Sequence, residues 1–264
     1  MSSANDMGLP DPTAPQDTPP RVSIVVPVYR EGEAIVTFLD RLFESVTLPC
    51  EALTVYDSLD DETAPILADY AKFEPRVTPS LNTYGPGPAN AIRFGIDHAV
   101  AEVVVVTMAD GCDDPRQIDE LTRLVERGVV VAAASRYMPG GQQVGGPLFK
   151  GMLSRLAGLS LYWLARVGTR DATNSFKAYQ TDFVRTVGID SRAGFEIGLE
   201  LTAKARRLRR PVAEVPTIWL ERAVGASNFK LAAWIPRYLG WYRFAFGRRL
   251  TLEQLRAQTE RAAA

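Results

Sequence analysis

Short apolar runs alternate with amphipathic stretches through the first half of the chain. Apolar runs rich in β-branched residues predict buried strands, here at 22–28, 52–56, 76–79, 102–108 and 129–133. Apolar residues at helical spacing predict helices between them, at 33–45, 62–70, 88–100 and 115–127. This alternation predicts an α/β fold, a Rossmann-like and mostly parallel central sheet flanked by helices and joined by right-handed crossovers.

The pattern changes after residue 135. We predict a glycine-rich loop at 138–147, a strand at 174–179 and another at 212–220, with long helices at 148–167, 194–209 and 229–246. The proline-rich and polar first twenty residues predict a disordered tail instead of a signal peptide. The domain boundaries that follow are a tail at 1–20, one α/β domain at 21–230, and a C-terminal amphipathic helix and tail at 231–264.

The distribution of charged residues along the chain is more informative about ligands than the overall composition is. The 264 residues are 46% hydrophobic and 23% charged, and a net charge of -1 gives no reason to expect nucleic-acid binding. Eleven lysine and arginine residues nevertheless lie between Leu201 and Arg249 against two glutamates, which suits an anionic ligand or membrane surface. Cys50 and Cys112 form no disulfide framework or zinc pattern, so we expect a cytoplasmic protein.

Acidic side chains follow the apolar run 103–106, where open α/β sheets bind their ligands. Asp110 and Asp113 could hold a divalent cation and, through it, a diphosphate. The alternative is a capping turn, in which Asp113 or Asp114 caps the next helix and Pro115 takes its first position. Both interpretations can hold together.

Two further loops follow predicted strands. Asp57 comes directly after the second strand, where a carboxylate can bind a ribose hydroxyl or a base. The glycine- and proline-containing loop 82–91 opens a helix, which allows close backbone approach and favours an anion at the helix N-terminus. Parallel strands bring these loops to one edge of the sheet, so we expect a single pocket.

In this order the motifs resemble family 2 glycosyltransferases of the GT-A fold, particularly the polyprenyl-phosphate hexose synthases (dolichol-phosphate mannose synthase-like). The resemblance runs from about residue 21 to 230. It rests on Val-Pro-Val-Tyr-Arg-Glu at 26–31, Tyr-Asp-Ser at 56–58, the loop 82–91, Met-Ala-Asp at 108–110, Ser-Arg-Tyr at 135–137, Asn-Ser-Phe-Lys-Ala-Tyr at 174–179, Phe-Glu-Ile-Gly-Leu-Glu at 195–200 and Arg-Ala-Val-Gly-Ala-Ser at 222–227.

The resemblance implies an inverting enzyme that moves a hexose from a GDP- or UDP-sugar, with Mg²⁺ or Mn²⁺, to a polyprenyl phosphate. It implies donor contacts from Pro27, Tyr29, Glu31, Asp57, Ala89 and Ala109, and a metal site at Asp110. Asp113 or Asp114 could supply a further oxygen ligand, since a hard divalent ion prefers oxygen. Met108 stands where the family usually has its first metal-binding carboxylate, which leaves a non-catalytic nucleotide-binding scaffold as an alternative.

Transfer develops negative charge on the leaving diphosphate, and nearby cations stabilise it. The resemblance and this requirement select Arg136 and Arg222 as catalytic cations, with Lys150, Ser227 and Lys230 in the binding site. A hydroxyl acceptor, on a polysaccharide or a soluble molecule, would also need a carboxylate base. Glu200 is our first candidate for it and Glu196 the second, although one turn's spacing also fits a structural pair.

Aromatic and basic residues interleave in the predicted helices 148–167 and 229–246. This pattern is typical of helices that lie on a bilayer, and we expect a peripheral contact with the inner face of the cell membrane. The alternative is that these helices pack on the sheet or in a dimer.

Overall fold

The structure is a computed structural model that describes residues 18–145, 148–192, 194–221 and 231–263. A mixed sheet forms its centre. Within these ranges seven strands pair in the order β3-β2-β1-β4-β7-β5-β8. They are β1 (Val22–Val28), β2 (Cys50–Tyr56), β3 (Val77–Leu81), β4 (Val103–Val106), β5 (Val131–Ser135), β7 (Lys177–Gln180) and β8 (Val212–Pro216). A small second sheet pairs β6 (Gln142–Val144) with β9 (Ile218–Leu220).

Helices cover both faces of the sheet. They are α1 (Ala34–Ser45), α2 (Thr63–Tyr70), α3 (Pro88–His98), α4 (Ile118–Glu126), α5 (Leu148–Ser160), α6 (Thr181–Val187), α7 (Ile197–Arg207), α8 (Leu231–Ala245) and α9 (Leu252–Ala263). A 3₁₀ turn at Pro115–Gln117 leads into α4, and a π-helical turn at Leu161–Ala165 continues α5. The Rossmann-like α/β architecture predicted from the alternating pattern is confirmed.

Neighbouring strand positions point into two separate apolar layers. Ile24 and Val26 of β1 lie in one layer with Ile35 of α1 and Ile118 of α4. Val25, between them, lies in the other layer with Ile92 and Ile96 of α3. Because both faces are covered, the central strands can be apolar at every position, which is why their runs stand out in the sequence.

The sheet departs from the expected pattern in its second half. β7 runs antiparallel to both β4 and β5, whereas β5 and β8 are parallel. The predicted strand 212–220 divides at Thr217, whose carbonyl accepts from Gln142 at 2.9 Å and directs the chain into the second sheet. Its partner β6 lies in the segment predicted as a loop.

The helix predictions also need adjustment at several ends. The predicted helix 148–167 ends as α-helix at Ser160 and closes in the π-helical turn, and neither α6 nor α9 was predicted. Residues 1–17 of the predicted tail lie outside the described residues. Within the ranges that the structure covers, we find no helix long and apolar enough to cross a membrane.

Candidate functional site

One edge of the central sheet gathers most of the predicted site residues. β1, β2, β4 and β5 all point their carboxyl ends to this edge, because β7 lies antiparallel between β4 and β5. For the same reason β7 starts at this edge, and the loop before it joins the site. We call this edge, with its loops, the catalytic edge.

The Asp57 carboxylate connects the end of β2 to the glycine-containing loop before α3. It accepts hydrogen bonds from the Asn82 side-chain amide at 2.8 Å and from the Gly87 N–H at 2.7 Å. Gly87 has a φ of 113°, a conformation that glycine adopts readily. Asp57 therefore shapes the loop that opens α3, at whose first turn Ala89 is buried.

The loop after β1 is held by donors in its own backbone. The Arg30 N–H donates to Asp61 at 2.9 Å, and the Glu31 N–H donates to the Thr63 hydroxyl at 3.0 Å. Pro27 lies in β1 beside Val55 of β2. Tyr29 is 60% exposed at the end of the strand, where a ring could cover a bound base.

The acidic segment after β4 carries two carboxylates in different environments. Asp110 is half-buried and accepts the Cys112 N–H at 3.1 Å. Asp113 is only 7% exposed, and one of its oxygens accepts both the Thr107 hydroxyl at 3.2 Å and the Met108 N–H at 3.4 Å. Burial, and secondly the charge of Asp110, raises the pKa of Asp113 to about 7.

The structure confirms the capping alternative for this segment. Asp114 caps the 3₁₀ turn by accepting the Arg116 N–H at 3.1 Å, and Pro115 takes the first position. Met108 packs against the apolar layer around α3, which explains an apolar side chain there. Asp114 thus supplies the cap, and neither Asp110 nor Asp113 is needed for it.

Two neighbouring carboxylates fit a divalent cation that is completed by diphosphate oxygens and water. Mg²⁺ is commonly bound by one or two carboxylates together with substrate phosphates. In the parts of the chain that the structure describes, no cluster of three or more potential metal ligands is found. The residues therefore fit a cation that arrives with its diphosphate better than one held by the protein alone.

Arg136 is fixed at the same edge by a residue that the sequence did not single out. Its guanidinium donates two hydrogen bonds to the fully buried Asp171 carboxylate, at 2.7 and 2.8 Å. The backbone N–H of Arg136 donates a third to the same carboxylate at 3.0 Å. Lys177, also fully buried, donates to the carbonyls of Asp171, Ala172 and Asn174. Its burial lowers its pKa to about 7.

The two candidate glutamates of α7 differ sharply. Glu200 is fully buried, and its oxygens accept the N–H groups of Asp190 at 2.7 Å and Ser191 at 2.9 Å. It also pairs with Lys204 at 2.6 Å. These contacts are those of the structural alternative, so our preference for Glu200 as a base loses its support.

Glu196, in contrast, is 3% exposed, and its Oε2 has no hydrogen-bond partner within the described chain. Burial raises the pKa of Glu196, and the positive charge of Arg237 opposes the rise. Tyr238 lies close enough to both Glu196 and Arg136 that, after burial, their charges act on its pKa. Glu196 therefore lies at the end of α7 that is nearer to the catalytic edge.

The remaining predicted residues cannot be placed. Arg222, Ser227 and Lys230 lie outside the described residues, and so does the side chain of Lys150. The last strand before that gap lies beside the acidic segment, because the Leu220 N–H donates to the Cys112 carbonyl at 3.1 Å. The structure brings together Asp57, Ala109, Asp110, Asp113 and Arg136 at the catalytic edge.

Solved structures with the same fold are glycosyltransferases. The glucosyl-3-phosphoglycerate synthase of Mycobacterium tuberculosis, solved with Mn²⁺, UDP and glucosyl-3-phosphoglycerate, has a TM-score of 0.64 at 17% identity, over 88% of this chain and 82% of that one. A Pyrobaculum calidifontis mannosyltransferase, solved with GDP-mannose and Mn²⁺, has a TM-score of 0.60 at 20% identity, over 95% and 71%. The fold is that of a GT-A glycosyltransferase.

The chain belongs to glycosyl transferase family 2, whose sequence profile matches residues 23–187. It is 29% identical over 214 residues to the undecaprenyl-phosphate mannosyltransferase of Micrococcus luteus, covering 79% of this chain and 87% of the relative. It is 28% identical over 231 residues to the polyprenol monophosphomannose synthase of Mycolicibacterium smegmatis, covering 81% and 86%. The protein is thus a glycosyltransferase, as the sequence motifs predicted.

Proposed function

We propose that this glycosyltransferase moves a hexose from a GDP- or UDP-sugar to a polyprenyl phosphate, with inversion at the anomeric carbon. The observation that carries the proposal is the grouping of Asp110, Asp113 and Arg136 at the catalytic edge. The three groups are close enough for both Asp110 and Arg136 to act on the pKa of Asp113. The two relatives described above are named as an undecaprenyl-phosphate mannosyltransferase and a polyprenol monophosphomannose synthase.

The donor nucleoside binds, in this proposal, to the loops after β1 and β2. Asp57, Tyr29 and Glu31 take its base and ribose, with Pro27, Ala89 and Ala109 forming the surface beneath. Asp110 and Asp113 would hold Mg²⁺ or Mn²⁺, which would supply positive charge opposite the departing nucleoside diphosphate. Arg136 faces the same charge, and its two side-chain hydrogen bonds to Asp171 keep the guanidinium in place.

A phosphate acceptor fits these residues without a general base. A lipid phosphate is already an anion near neutral pH, so positively charged residues need only align it opposite the leaving group. We propose Arg136 and Arg222 for this alignment, with Lys150, Ser227 and Lys230 completing the anionic site. Arg136 can serve because its side chain, though paired with Asp171, is 13% exposed.

Peripheral membrane contact at the inner face of the cell membrane completes the proposal. α8 packs against α7 and the π-helical turn, through residues such as Ala203 and Ala245. The outer side of α5 and this turn nevertheless leaves large apolar side chains exposed, at Met152 (55%), Leu156 (59%), Trp163 (67%) and Leu164 (72%). Rings and apolar chains beside arginines suit the bilayer interface.

Donor binding tests the site directly. We expect GDP- or UDP-hexose with Mn²⁺ to raise the melting temperature of the wild type and to leave Asp110→Ala nearly unshifted. The matched control is Asp182→Ala, which removes an exposed carboxylate in α6 at the opposite edge of the sheet and should leave the response as in the wild type. An equal shift in Asp110→Ala would contradict the metal assignment.

Transfer is then measured with a polyprenyl phosphate in detergent. Sugar transfer to that acceptor supports the proposal. Donor binding without turnover on this or a hydroxyl acceptor would favour the scaffold alternative.

A hydroxyl acceptor is the second candidate, and the observation that favours it is the buried Oε2 of Glu196, which has no hydrogen-bond partner in the described chain. Such an acceptor must lose a proton, and a buried carboxylate with a raised pKa is suited to accept one. Glu196→Gln should abolish transfer to a hydroxyl acceptor and should leave transfer to a phosphate acceptor largely intact. Competition between the two acceptors in the wild type gives the preferred class.

A further inference from the structure

Five arginines line a cleft of about 560 Å³ that the proposed reaction does not use. They come from the end of the π-helical turn, from the end of α7 and from the segment between α8 and α9. We call this the arginine cleft and define it by Arg166, Arg206, Arg209, Arg210 and Arg249. Gly168, Val167, Pro211 and Val212 complete its wall, and none of the described residues that line it is a carboxylate.

The arginine cleft lies at the edge of the sheet opposite the catalytic edge. Arg210 comes just before β8 and its neighbour Pro211 accepts from the Val130 N–H at 3.0 Å, whereas Arg136 follows the far end of β5. The five residues of β5 between these points span about 16 Å at roughly 3.3 Å per residue. A ligand in the cleft is therefore separate from the sugar donor.

The cleft is built from segments that Arg206 ties together. Its guanidinium donates to the Ala165 carbonyl at 2.8 Å and to the Gly247 carbonyl at 2.5 Å. The other four arginines are exposed, and among the described residues none of the five forms an ion pair with a carboxylate. The cleft thus concentrates positive charge that the protein itself does not neutralise.

Two of these arginines occupy backbone positions that favour glycine. Arg166 and Arg209 have φ values of 57° and 53°, in the left-handed region. At Arg209 the end of α7 closes with the Arg210 N–H on the Ala205 carbonyl at 2.9 Å, an arrangement in which glycine is the usual residue. Helix α4 ends in this way with a glycine, Gly128, where the Val129 N–H donates to the Leu124 carbonyl at 3.2 Å.

Exposed apolar side chains stand next to the arginine cleft in the chain. Trp163 and Leu164 precede Arg166, and Phe246, 40% exposed, precedes the Gly247 carbonyl that Arg206 holds. Arginine forks bind phosphate oxygens in pairs, and flanking rings suit the depth of lipid headgroups. We propose that the arginine cleft binds the headgroup phosphate of an anionic phospholipid and anchors the enzyme on the membrane surface.

This inference rests on the proposed membrane contact but not on the glycosyl transfer. The test variant is Arg166→Gly/Arg209→Gly, which removes two charges while giving both positions the residue that their conformations favour. The control, Lys72→Gln/Arg127→Gln, removes two charges from exposed positions after α2 and α4 that do not line the cleft. Binding is measured by sedimentation with phosphatidylcholine vesicles, with and without phosphatidylglycerol.

We expect the wild type and the control to bind the anionic vesicles, and the glycine variant to bind about thirtyfold more weakly at low salt while melting no lower than the wild type. Transfer in detergent should be equal in all three. Equal binding by the glycine variant overturns the cleft assignment alone. A wild type that binds neither vesicle overturns the membrane contact too. If that wild type binds glycerol phosphate but no vesicle, the ligand of the cleft is a soluble phosphate instead of a lipid.

Discussion

Replacing Glu200 with glutamine separates a structural carboxylate from a catalytic one. Glu200 accepts two backbone N–H groups, from Asp190 and Ser191, and pairs with the fully buried Lys204. Glutamine has the same shape but presents an NH₂ group where one of the carboxylate oxygens was. That group cannot accept a hydrogen bond, so at least one buried N–H loses its partner. Lys204 also loses one of its two charged partners.

The magnitude follows from these contacts. An unsatisfied buried donor costs about 1–3 kcal/mol, and breaking a buried ion pair costs about 3–5 kcal/mol. Lys204 keeps its second partner, Asp190, at 2.7 Å, so the total stays near the lower end. We expect Glu200→Gln to lower the free energy of unfolding by about 3 kcal/mol, which is roughly 6–12 °C in melting temperature for a domain of this size.

The assay pairs urea unfolding with sugar transfer per folded molecule. Glu200→Gln should transfer sugar at nearly the wild-type rate at a temperature well below its transition. Glu196→Gln is the matched control, the same change one helical turn earlier, at a carboxylate whose Oε2 has no partner in the described chain. It should unfold at the wild-type urea concentration or above it.

A different outcome would refute the structural interpretation. If Glu200→Gln unfolds as the wild type does but transfers sugar a thousandfold more slowly, the carboxylate acts in the reaction and its pairing with Lys204 is incidental. Adding Lys204→Met to Glu200→Gln provides an internal check. Because Lys204 is fully buried and keeps only Asp190 as a charged partner in Glu200→Gln, the double variant should recover part of the lost stability.

Three other changes test the surroundings of the site. Asp171→Asn leaves the Arg136 guanidinium without its charged partner and should lower the free energy of unfolding by about 3–5 kcal/mol and weaken donor binding, measured by urea titration and calorimetry. Burial lowers the pKa of Lys177 to about 7, so between pH 7 and 9 the unfolded chain binds a proton that the folded chain releases. The free energy of unfolding, measured by urea titration, should therefore rise by about 2 kcal/mol from pH 7 to pH 9. Lys177→Met should lack this rise. Gly95→Ala would place a Cβ 2.4 Å from Val25 and should cost about 1–3 kcal/mol in the same measurement.

The first half of the fold could be predicted because its strands are buried on both faces. Val103–Val106 is apolar at every position, and such runs reveal both the strand and the edge where Asp110 lies. The reversal of β7 could not be predicted, because an antiparallel strand with two paired neighbours has the same apolar pattern as a parallel one. Periodicity alone did not reveal the division at Thr217, although Pro216, a residue that rarely lies inside a strand, stands directly before it.

The site was predictable where a loop follows a strand and obscure where side chains meet across the chain. Asp57 and Asp110 are visible because each comes directly after an apolar run. Asp171 has no such signal, and its importance comes from Arg136, 35 residues away in the chain. Glu196 and Glu200 are equivalent in sequence spacing, and only the donors around them distinguish the two.

The two proposals together constrain how the enzyme would lie on a membrane. α5 starts near the second sheet, where a Cβ on Gly151 would meet Gln143, and its π-helical turn ends at Arg166 in the arginine cleft. These 18 residues span about 27 Å at roughly 1.5 Å per residue, with exposed apolar side chains along the way. A helix lying flat on the surface keeps both of its ends at headgroup depth. An anchor at one end would therefore hold the catalytic edge at the level where a lipid phosphate is presented, and the acceptor would not need to leave the bilayer.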